Sequence, residues 1–219
     1  MKVIAALVAV LTLGACASLR PGAGAAHWSS VAVMGPVEAG LLYHQRSDTP
    51  PDPRLALAWG DVCGERDEAA RALAMAAAQP RLDEAARSAW ARDTWKLPLR
   101  QTMGAYDLQK GGFPTGVRTG SVVRFDRSDF CLKDLSYLVA FRNGDAYSVL
   151  RLSEDGARHL VRHNPSRSVV HDLEVEVVGW QPGPPGPTLL VDIVRVRTRD
   201  AVSERVVFDT ALPEPVGGL

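Results

Sequence analysis

Two segments near the end of the chain alternate apolar and charged residues, and they constrain the fold more than any other feature. Residues 168–180 and 188–199 repeat with a period of two, which is typical of β-strands that bury one face. The residues between them are rich in proline and glycine, as in the loop of a hairpin. The sequence therefore predicts a long antiparallel β-hairpin.

The charged residues of this hairpin predict its register. A symmetric loop places Glu174 opposite Arg195 and Asp172 opposite Arg197, so that an acidic stripe faces a basic one. Each such pair contributes about 0.2–1 kcal/mol and helps to fix the register. We expect this side to be a solvated structural face rather than a ligand site. The apolar side of the first strand carries Val169, His171, Leu173, Val175 and Val177.

Helical patterns precede the β-rich part of the chain. Residues 53–96 are predicted to be helical, with a helix start at Asp52, and residues 97–210 are predicted to be β-rich. One further short helix interrupts the strands, beginning at Ser153 and ending at Asn164. This order predicts an α+β fold, in which an N-terminal helical segment packs on a mostly antiparallel β-sheet.

Individual elements are predicted from apolar periodicity and turn residues. The pair Asn143-Gly144 lies between two alternating runs, a pattern that predicts a two-residue hairpin turn. The apolar residues 31–43 predict a strand. Helices are predicted at 54–59, 65–78 and 80–95, and the other strands at 120–127, 136–142, 145–152 and 201–209.

The second and third of these helices are expected to pack as an antiparallel pair through alanine-rich faces. Apolar residues recur at helical spacing on one side of each. The face of the second carries Ala69, Leu73, Ala76 and Ala77, and the face of the third carries Leu82, Ala85, Ala86, Ala89 and Trp90.

The chain begins with an apolar run that is too short to cross a membrane. The run covers residues 3–13, whereas a spanning helix needs roughly 20 residues. It ends in Leu13-Gly14-Ala15-Cys16, and the whole stretch is typical of a signal peptide. Here the sequence resembles the bacterial lipoproteins, whose lipobox is a leucine, two small residues and a cysteine. The resemblance implies that Cys16 becomes a lipidated N-terminus, and that a residue such as Ala17 sends the protein to the outer membrane, facing the periplasm.

This interpretation divides the chain into a signal peptide (1–15), a lipidated cysteine with a flexible tether (16–30) and a single α+β domain (31–219). Retention in the inner membrane is an alternative. Ala15-Cys16-Ala17 also fits ordinary signal cleavage, which would release a secreted protein. A cytoplasmic chain with an accidental apolar start is the remaining alternative.

The other two cysteines, Cys63 and Cys131, are available for a disulfide once Cys16 carries lipid. The periplasm is oxidising, so we predict that they are paired. Such a bond would constrain the unfolded chain by about 4 kcal/mol. The alternative is two unpaired buried thiols.

Charge and motifs exclude several classes of function. The 25 basic and 25 acidic residues balance, whereas a nucleic-acid binder needs a basic surplus. The glycines at 111 and 112 lack the Lys-Ser/Thr of a phosphate loop, and the sequence has no Gly-x-Ser-x-Gly, Cys-x-x-Cys or His-Glu-x-x-His motif. We therefore predict no cofactor and no nucleic-acid partner.

The weak candidates for a metal site are His159 and His163. Their spacing of four places both imidazoles on one helix face. Arg158 and Arg162 share this face, however, and two cations oppose the binding of a divalent metal. His171 lies on the apolar side of its strand and is expected to point elsewhere. We therefore interpret the face as a solvated polar surface.

Residues 106–114 form the most unusual stretch of the body and give a candidate binding loop. Tyr106 and Phe113 would supply aromatic contacts, together with Asp107. The alternative, which we favour, is a wide turn whose two rings pack over a sheet edge. With the helix at 155–158 and the charged strand pair, this stretch resembles uncharacterised domains of bacterial exported proteins, over about the second half of the chain. That resemblance implies no activity.

The sequence as a whole predicts a membrane-anchored, non-enzymatic module that binds a protein or glycan of the cell envelope or has a structural role there. The alternative is an envelope hydrolase whose catalytic residues are scattered along the chain. A deep pocket lined by histidine, serine or paired carboxylates would favour the hydrolase. A shallow surface with an exposed apolar patch would favour the binding module.

Overall fold

The structure, a computed structural model, describes residues 21–125, 136–182 and 186–211. By its contacts the chain divides into two units, Met1–Ser30 and Val31–Leu219. The first contains helix α1 (Pro21–Ser30). The second contains, in chain order, α2 (Pro36–Arg46), a 3-10 helix (Pro53–Ala58), α3 (Gly60–Cys63), α4 (Glu68–Ala77), α5 (Gln79–Trp90), β1 (Thr94–Thr102), β2 (Gly112–Pro114), β3 (Val122–Arg124), β4 (Leu138–Phe141), a second 3-10 helix (Gly144–Tyr147), β5 (Val149–Arg151), α6 (Glu154–His163), β6 (Ser168–Gln181), β7 (Thr188–Asp200) and β8 (Val206–Ala211).

The predicted hairpin forms the centre of the main sheet. β6 and β7 pair antiparallel, with Asp172 opposite Arg197 and Glu174 opposite Arg195, which confirms the predicted register. The register then skips Val194, and this β-bulge changes which positions of β7 face inward. Ile193 and Val196 are therefore both buried although they are three residues apart.

The main sheet has six strands and is mostly antiparallel. Its order is β1-β6-β7-β4-β3, and β8 also pairs with β7. β4 runs parallel to β7, whereas the other pairs of this sheet are antiparallel. β2 and β5 form a separate two-stranded sheet. Together with the preceding helices, this arrangement confirms the α+β class.

The core lies on one face of the main sheet. Helices α2 and α5 pack against each other there, and α2 also packs on β6 and β7. β1 contributes through alternation, because Trp95 and Leu97 are buried. Pro98 is tolerated in this strand because β1 is the first strand of the sheet order, and an edge strand can lack a backbone donor. The predicted inward set Val169, His171, Leu173, Val175 and Val177 is buried, as expected.

The charged side of the hairpin is buried, so the prediction of a solvated face is wrong. Asp172 and Glu174 are only 1% and 6% exposed. Arg197 Nη2 and Arg199 Nε donate to Asp172 Oδ2 at 2.6 and 2.7 Å, and Arg195 Nε donates to Asp209 Oδ1 of β8 at 2.9 Å. Long arginine side chains thus cover the acids of the neighbouring strand.

The charge on Asp172 is maintained against its burial. Burial acts to raise the pKa of this carboxyl, but the hydrogen bonds from Arg199 and Arg197 outweigh it, and the net shift is downward. Asp172 is therefore ionised in the folded protein at neutral pH, in contact with two guanidinium groups.

The prediction of a strand at residues 31–43 is wrong, because most of this segment belongs to α2. Pro36 occupies the first turn, where a missing N–H costs nothing, and Glu38 Oε2 accepts a hydrogen bond from Gly35 N at 3.0 Å. These start signals outweigh the apolar content of the segment. Only Val33 retains an extended contact, an isolated bridge to Lys96.

Asn143-Gly144 does not form a hairpin turn. The Asn143 side chain instead bonds to β7, accepting from Ile193 N at 2.8 Å and donating to Ile193 O at 2.9 Å, so it extends the parallel pairing of β4. Gly144 is required for another reason, since a Cβ there would lie 2.2 Å from the carbonyl oxygen of Arg118. A parallel neighbour for β4 is a long-range feature that the local pattern does not reveal.

The predicted helix pair is also only partly right. α5 buries Leu82, Ala86 and Ala89 as expected, but against α2, and it ends at Trp90 because β1 begins at Thr94. The predicted face of α4 is exposed, and Leu73 there is 73% exposed. Alanine occupies several sides of α4, so periodicity did not distinguish its faces.

Part of the segment that was expected to be a flexible tether is helical. Residues 21–30 form helix α1, consistent with a proline at its first position and with the alanines that follow. The segment expected to be a flexible tether is therefore helical over residues 21–30. No helix within the described ranges is long and apolar enough to cross a membrane.

We expect Asp172→Asn to lower the free energy of unfolding by about 3 kcal/mol, because it leaves two arginines without their buried counter-charge. Urea denaturation at pH 7 measures this loss. The control is Glu84→Gln, which breaks the exposed Glu84–Arg87 pair and should cost less than about 1 kcal/mol. Equal losses for the two variants would contradict the structural role of Asp172.

Candidate functional site

Backbone hydrogen bonds close the candidate binding loop into a turn. Asp107 N donates to Gly112 O at 2.8 Å and Gly112 N donates to Asp107 O at 3.2 Å, which closes the turn. Asp107 Oδ1 accepts from the backbone N–H groups of Gln109 and Lys110, and the Lys110 bond is the largest cause of the lowered pKa of Asp107. Leu108 is held at the outer side of this turn with 86% of its surface exposed.

Two aromatic rings flank the turn. Tyr106 and Phe113 meet edge to face with centroids 5.2 Å apart, and Phe113 is buried. Phe113 lies on β2, which pairs with β5. Gly112 permits this close pairing, since a Cβ there would lie 2.4 Å from the backbone oxygen of Leu150. The structure thus contains the favoured wide turn, with one ring buried and the other half-buried.

Helix α6 lies beside this turn. Ser153 caps it by accepting a hydrogen bond from Gly156 N at 3.1 Å, and acidic residues occupy its first turn, as the sequence predicted. Ala157 and Leu160 are buried and fix the helix on the domain. One stripe of the helix faces the turn and consists of Glu154, Ala157, Arg158, Val161 and Arg162.

The turn and the helix enclose an open groove of about 340 Å³, which we call the α6 groove. Its volume falls within the range of small-molecule sites, roughly 300–1,000 Å³. Carbon atoms form most of its surface, and charged groups stand at its rim. The lining residues are Tyr106, Leu108, Phe113, Glu154, Ala157, Arg158, Val161 and Arg162.

The charged residues of the α6 groove are not all paired. Glu154 forms an ion pair with Arg158, which also contacts Asp155 at 3.1 Å. Arg162 is exposed and makes no hydrogen bond or ion pair with another residue in the described ranges. Arg162 is therefore the cation of the groove that is not engaged in a pair with a described residue.

The structure brings together two of the three predicted loop residues. Tyr106 and Phe113 line the groove, whereas Asp107 builds the turn and does not line it. Sequence reasoning missed Leu108 and the whole α6 stripe. The helix from Ser153 to Asn164 was predicted, but no residue on its groove side was assigned to a binding site.

His159 and His163 form a stacked pair of rings. Their ring centroids are 4.1 Å apart, and His163 Nδ1 donates to the His159 carbonyl at 2.8 Å. Arg205 Nη1 lies 3.1 Å from His159 Nε2, where a metal would bind. The neighbouring His163 is the largest cause of the lowered pKa of His159, followed by burial and then by Arg205 and Arg162. No group of three metal-ligating side chains is found in the described residues.

His171 points into the core, as its position in the strand predicted. Its Nδ1 lies 2.9 Å from both Tyr147 Oη and Thr198 Oγ1, and these two oxygens are 2.8 Å apart. His171 is fully buried, and its Nε2 has no hydrogen-bond partner within the described ranges. Burial lowers the pKa of His171 to about 4 and raises that of Tyr147. A substrate in the α6 groove would not meet this cluster, because none of its residues lines the groove.

The cysteine predictions fall largely outside the described residues. Cys16 and Cys131 both lie outside the described residues, and Cys63 ends the short helix α3. Lipidation of Cys16 and pairing of Cys63 with Cys131 stay predictions.

Comparison with known proteins finds no match to this chain among family models, curated proteins or solved structures. The site must therefore be interpreted from its own chemistry.

The burial of neutral His171 predicts a loss of stability on acidification. Its pKa is about 4 in the folded protein and about 6.5 in the unfolded chain, so below pH 6.5 the unfolded state binds a proton that the folded state excludes. The stabilisation is complete above pH 6.5 and declines by about 3 kcal/mol as the pH falls to 4. We expect the free energy of unfolding, compared at pH 7 and pH 4.5, to fall less in His171→Gln than in the original chain.

Other groups also titrate in this interval, so the difference between the two chains is the informative quantity. NMR titration of the His171 ring in the unsubstituted protein provides a second measurement that does not require the variant to fold. A ring that titrates near pH 6.5 would contradict the prediction.

Proposed function

We propose that this protein is a lipid-anchored binding module of the bacterial cell envelope, attached through Cys16 to the outer membrane and facing the periplasm. In this proposal the α6 groove is its binding site, and the bound partner is a component of the envelope. The observation that carries the binding site is the exposed Leu108, which a closed turn holds beside the apolar lining of the groove.

A single exposed leucine does not by itself indicate a binding site, since apolar atoms make up much of any protein surface. Leu108 differs because it adjoins a concave surface lined by Tyr106, Phe113 and Val161. A concave, mostly apolar surface with a few polar groups is the usual form of a ligand-binding site. The hydrogen bonds within the turn hold Leu108 in place before binding, which reduces the entropy that binding must cost.

The alternative function, an envelope hydrolase, has less support. The lining of the groove includes no serine, cysteine, threonine or histidine side chain, and its carboxylate, Glu154, is paired with Arg158. Nucleophilic catalysis needs a nucleophile and a base within hydrogen-bond reach of the substrate. The grouping of a tyrosine, a histidine and a threonine at His171 is buried in the core and makes structural contacts.

The anchor is tested by Cys16→Ser. We expect this variant to move from the membrane fraction to the soluble fraction of the envelope and to lose incorporation of labelled palmitate, because the lipid is attached at this sulfur. Cys63→Ser is the matched control, since it leaves residues 13–16 unchanged and should stay in the membrane fraction. Membrane retention of Cys16→Ser would refute the anchor.

The binding site is tested by placing a photo-crosslinking amino acid at position 108 in cells. We expect covalent adducts at 108 that are lost when Val161→Glu introduces a charge into the groove. Position 73 is the matched control, because Leu73 is also exposed but lies on α4 outside the groove lining. Equal adducts at both positions, or none at 108, would refute the groove as the binding site.

A further inference from the structure

The chemistry of the α6 groove identifies a ligand class. We propose that the groove binds a single-chain anionic amphiphile, with its acyl chain against Val161 and Phe113 and its carboxylate or phosphate group at Arg162. This inference rests on the proposed function, because it takes the groove as the binding site and names what occupies it.

The lining favours an acyl chain over a glycan. A sugar needs several hydrogen-bond donors and acceptors placed around it, whereas the floor of the groove is formed by Phe113, Ala157 and Val161. The Tyr106 hydroxyl does not supply such a contact freely, since it lies 3.4 Å from the carbonyl of Leu152. A hydrocarbon chain requires no polar partner, and each methylene that it buries contributes about 0.8 kcal/mol.

The charged residues that line the groove favour an anionic head group. Glu154 would repel an anion, but it and Asp155 both contact Arg158, which offsets part of their charge. Arg162, one helical turn further along the same stripe, makes no ion pair with any other described residue. Charge-assisted hydrogen bonds from a guanidinium to a carboxylate or phosphate are among the stronger polar contacts, and Arg162 can present two donors at once.

Leu108 would cover the bound chain. Its side chain is 86% exposed and lies at the edge of the groove, opposite the α6 stripe. A chain lying between Leu108 and Val161 would remove both from water, which gives the exposed leucine a favourable partner. The inferred pose thus uses the apolar lining, the exposed leucine and the unpaired Arg162 together.

Displacement of a fluorescent fatty acid from the full chain carrying Cys16→Ser tests the proposal, with competitors kept below their critical micelle concentrations. We expect palmitate and lysophosphatidylglycerol to displace the probe at micromolar concentrations. Glycerol monopalmitate, which has the same acyl chain without the charge, should bind at least about tenfold more weakly, the equivalent of about 1.4 kcal/mol. Equal displacement by charged and uncharged competitors, or no displacement, would overturn the ligand class.

Three variants separate the contributions. Arg162→Gln should weaken palmitate binding about tenfold and change monopalmitate binding less than about twofold, because only the head-group contact is lost. Leu108→Glu should weaken both competitors, and its exposed position makes unfolding an unsuitable explanation for the loss. Leu73→Glu on α4 is the control and should change neither. Loss of palmitate binding in Leu73→Glu equal to that in Leu108→Glu would overturn the site.

The outcomes also distinguish this inference from the proposed function. Protein adducts at position 108 in cells, combined with no displacement by palmitate, would overturn the amphiphile and leave a binding module with a protein partner. Displacement by palmitate combined with adducts of lipid mass at position 108 would support both.

Discussion

The pairing of β6 with β7 is the interaction on which the rest of the second unit depends. β1 pairs with the free edge of β6, while β4 and β8 share the other edge of β7. One face of this pair supplies much of the core, and the opposite face holds Asp172 between two arginines. An ion pair that is nearly dry is costly to misalign, so it stabilises the correct register against slippage.

The same strand pair positions the α6 groove through a short series of buried contacts. His171 on β6 and Thr198 on β7 both contact Tyr147, which ends the 3-10 helix before β5. The carbonyl of Tyr147 accepts a hydrogen bond from Thr115, the residue that follows β2. β2 in turn pairs with β5 and begins where the turn that holds Leu108 closes. A fully buried polar cluster in the core thus connects the sheet to one wall of the groove.

Whether a feature of the fold could be predicted from the sequence depends mainly on whether its interactions are local or long-range. The hairpin and its register could be predicted because a period of two and a symmetric loop are local properties. The start of α6 was predictable for the same reason, from the cap at Ser153. By contrast, the parallel pairing of β4 with β7 joins strands that are distant in sequence. The burial of Asp172 depends on how the side chains of Arg197 and Arg199 fold over it, which the alternation of residues does not reveal.

The residues of the candidate site could likewise be predicted only in part. Tyr106 and Phe113 were recognised as unusual from the sequence, because aromatic residues around a glycine-rich turn are distinctive. Leu108 was not, since the identity of a residue does not reveal its exposure, and the α6 stripe is brought beside the turn only by the pairing of β2 with β5. A groove formed by two segments about fifty residues apart has no local signature.

The total charge of zero can be related to individual clusters of charged residues. On the hairpin, Arg197 and Arg199 surround Asp172, and Arg199 also pairs with Glu204. On α6, Arg158 contacts both Glu154 and Asp155, while Arg162 forms no ion pair with a described residue. Acids and bases are therefore equal in number in both clusters, but not every cation is held in a pair. Overall neutrality argues against a partner with many phosphates, which must be met by many cations. It does not argue against a ligand with one negative charge, because a single unpaired arginine beside an apolar surface is sufficient for that contact.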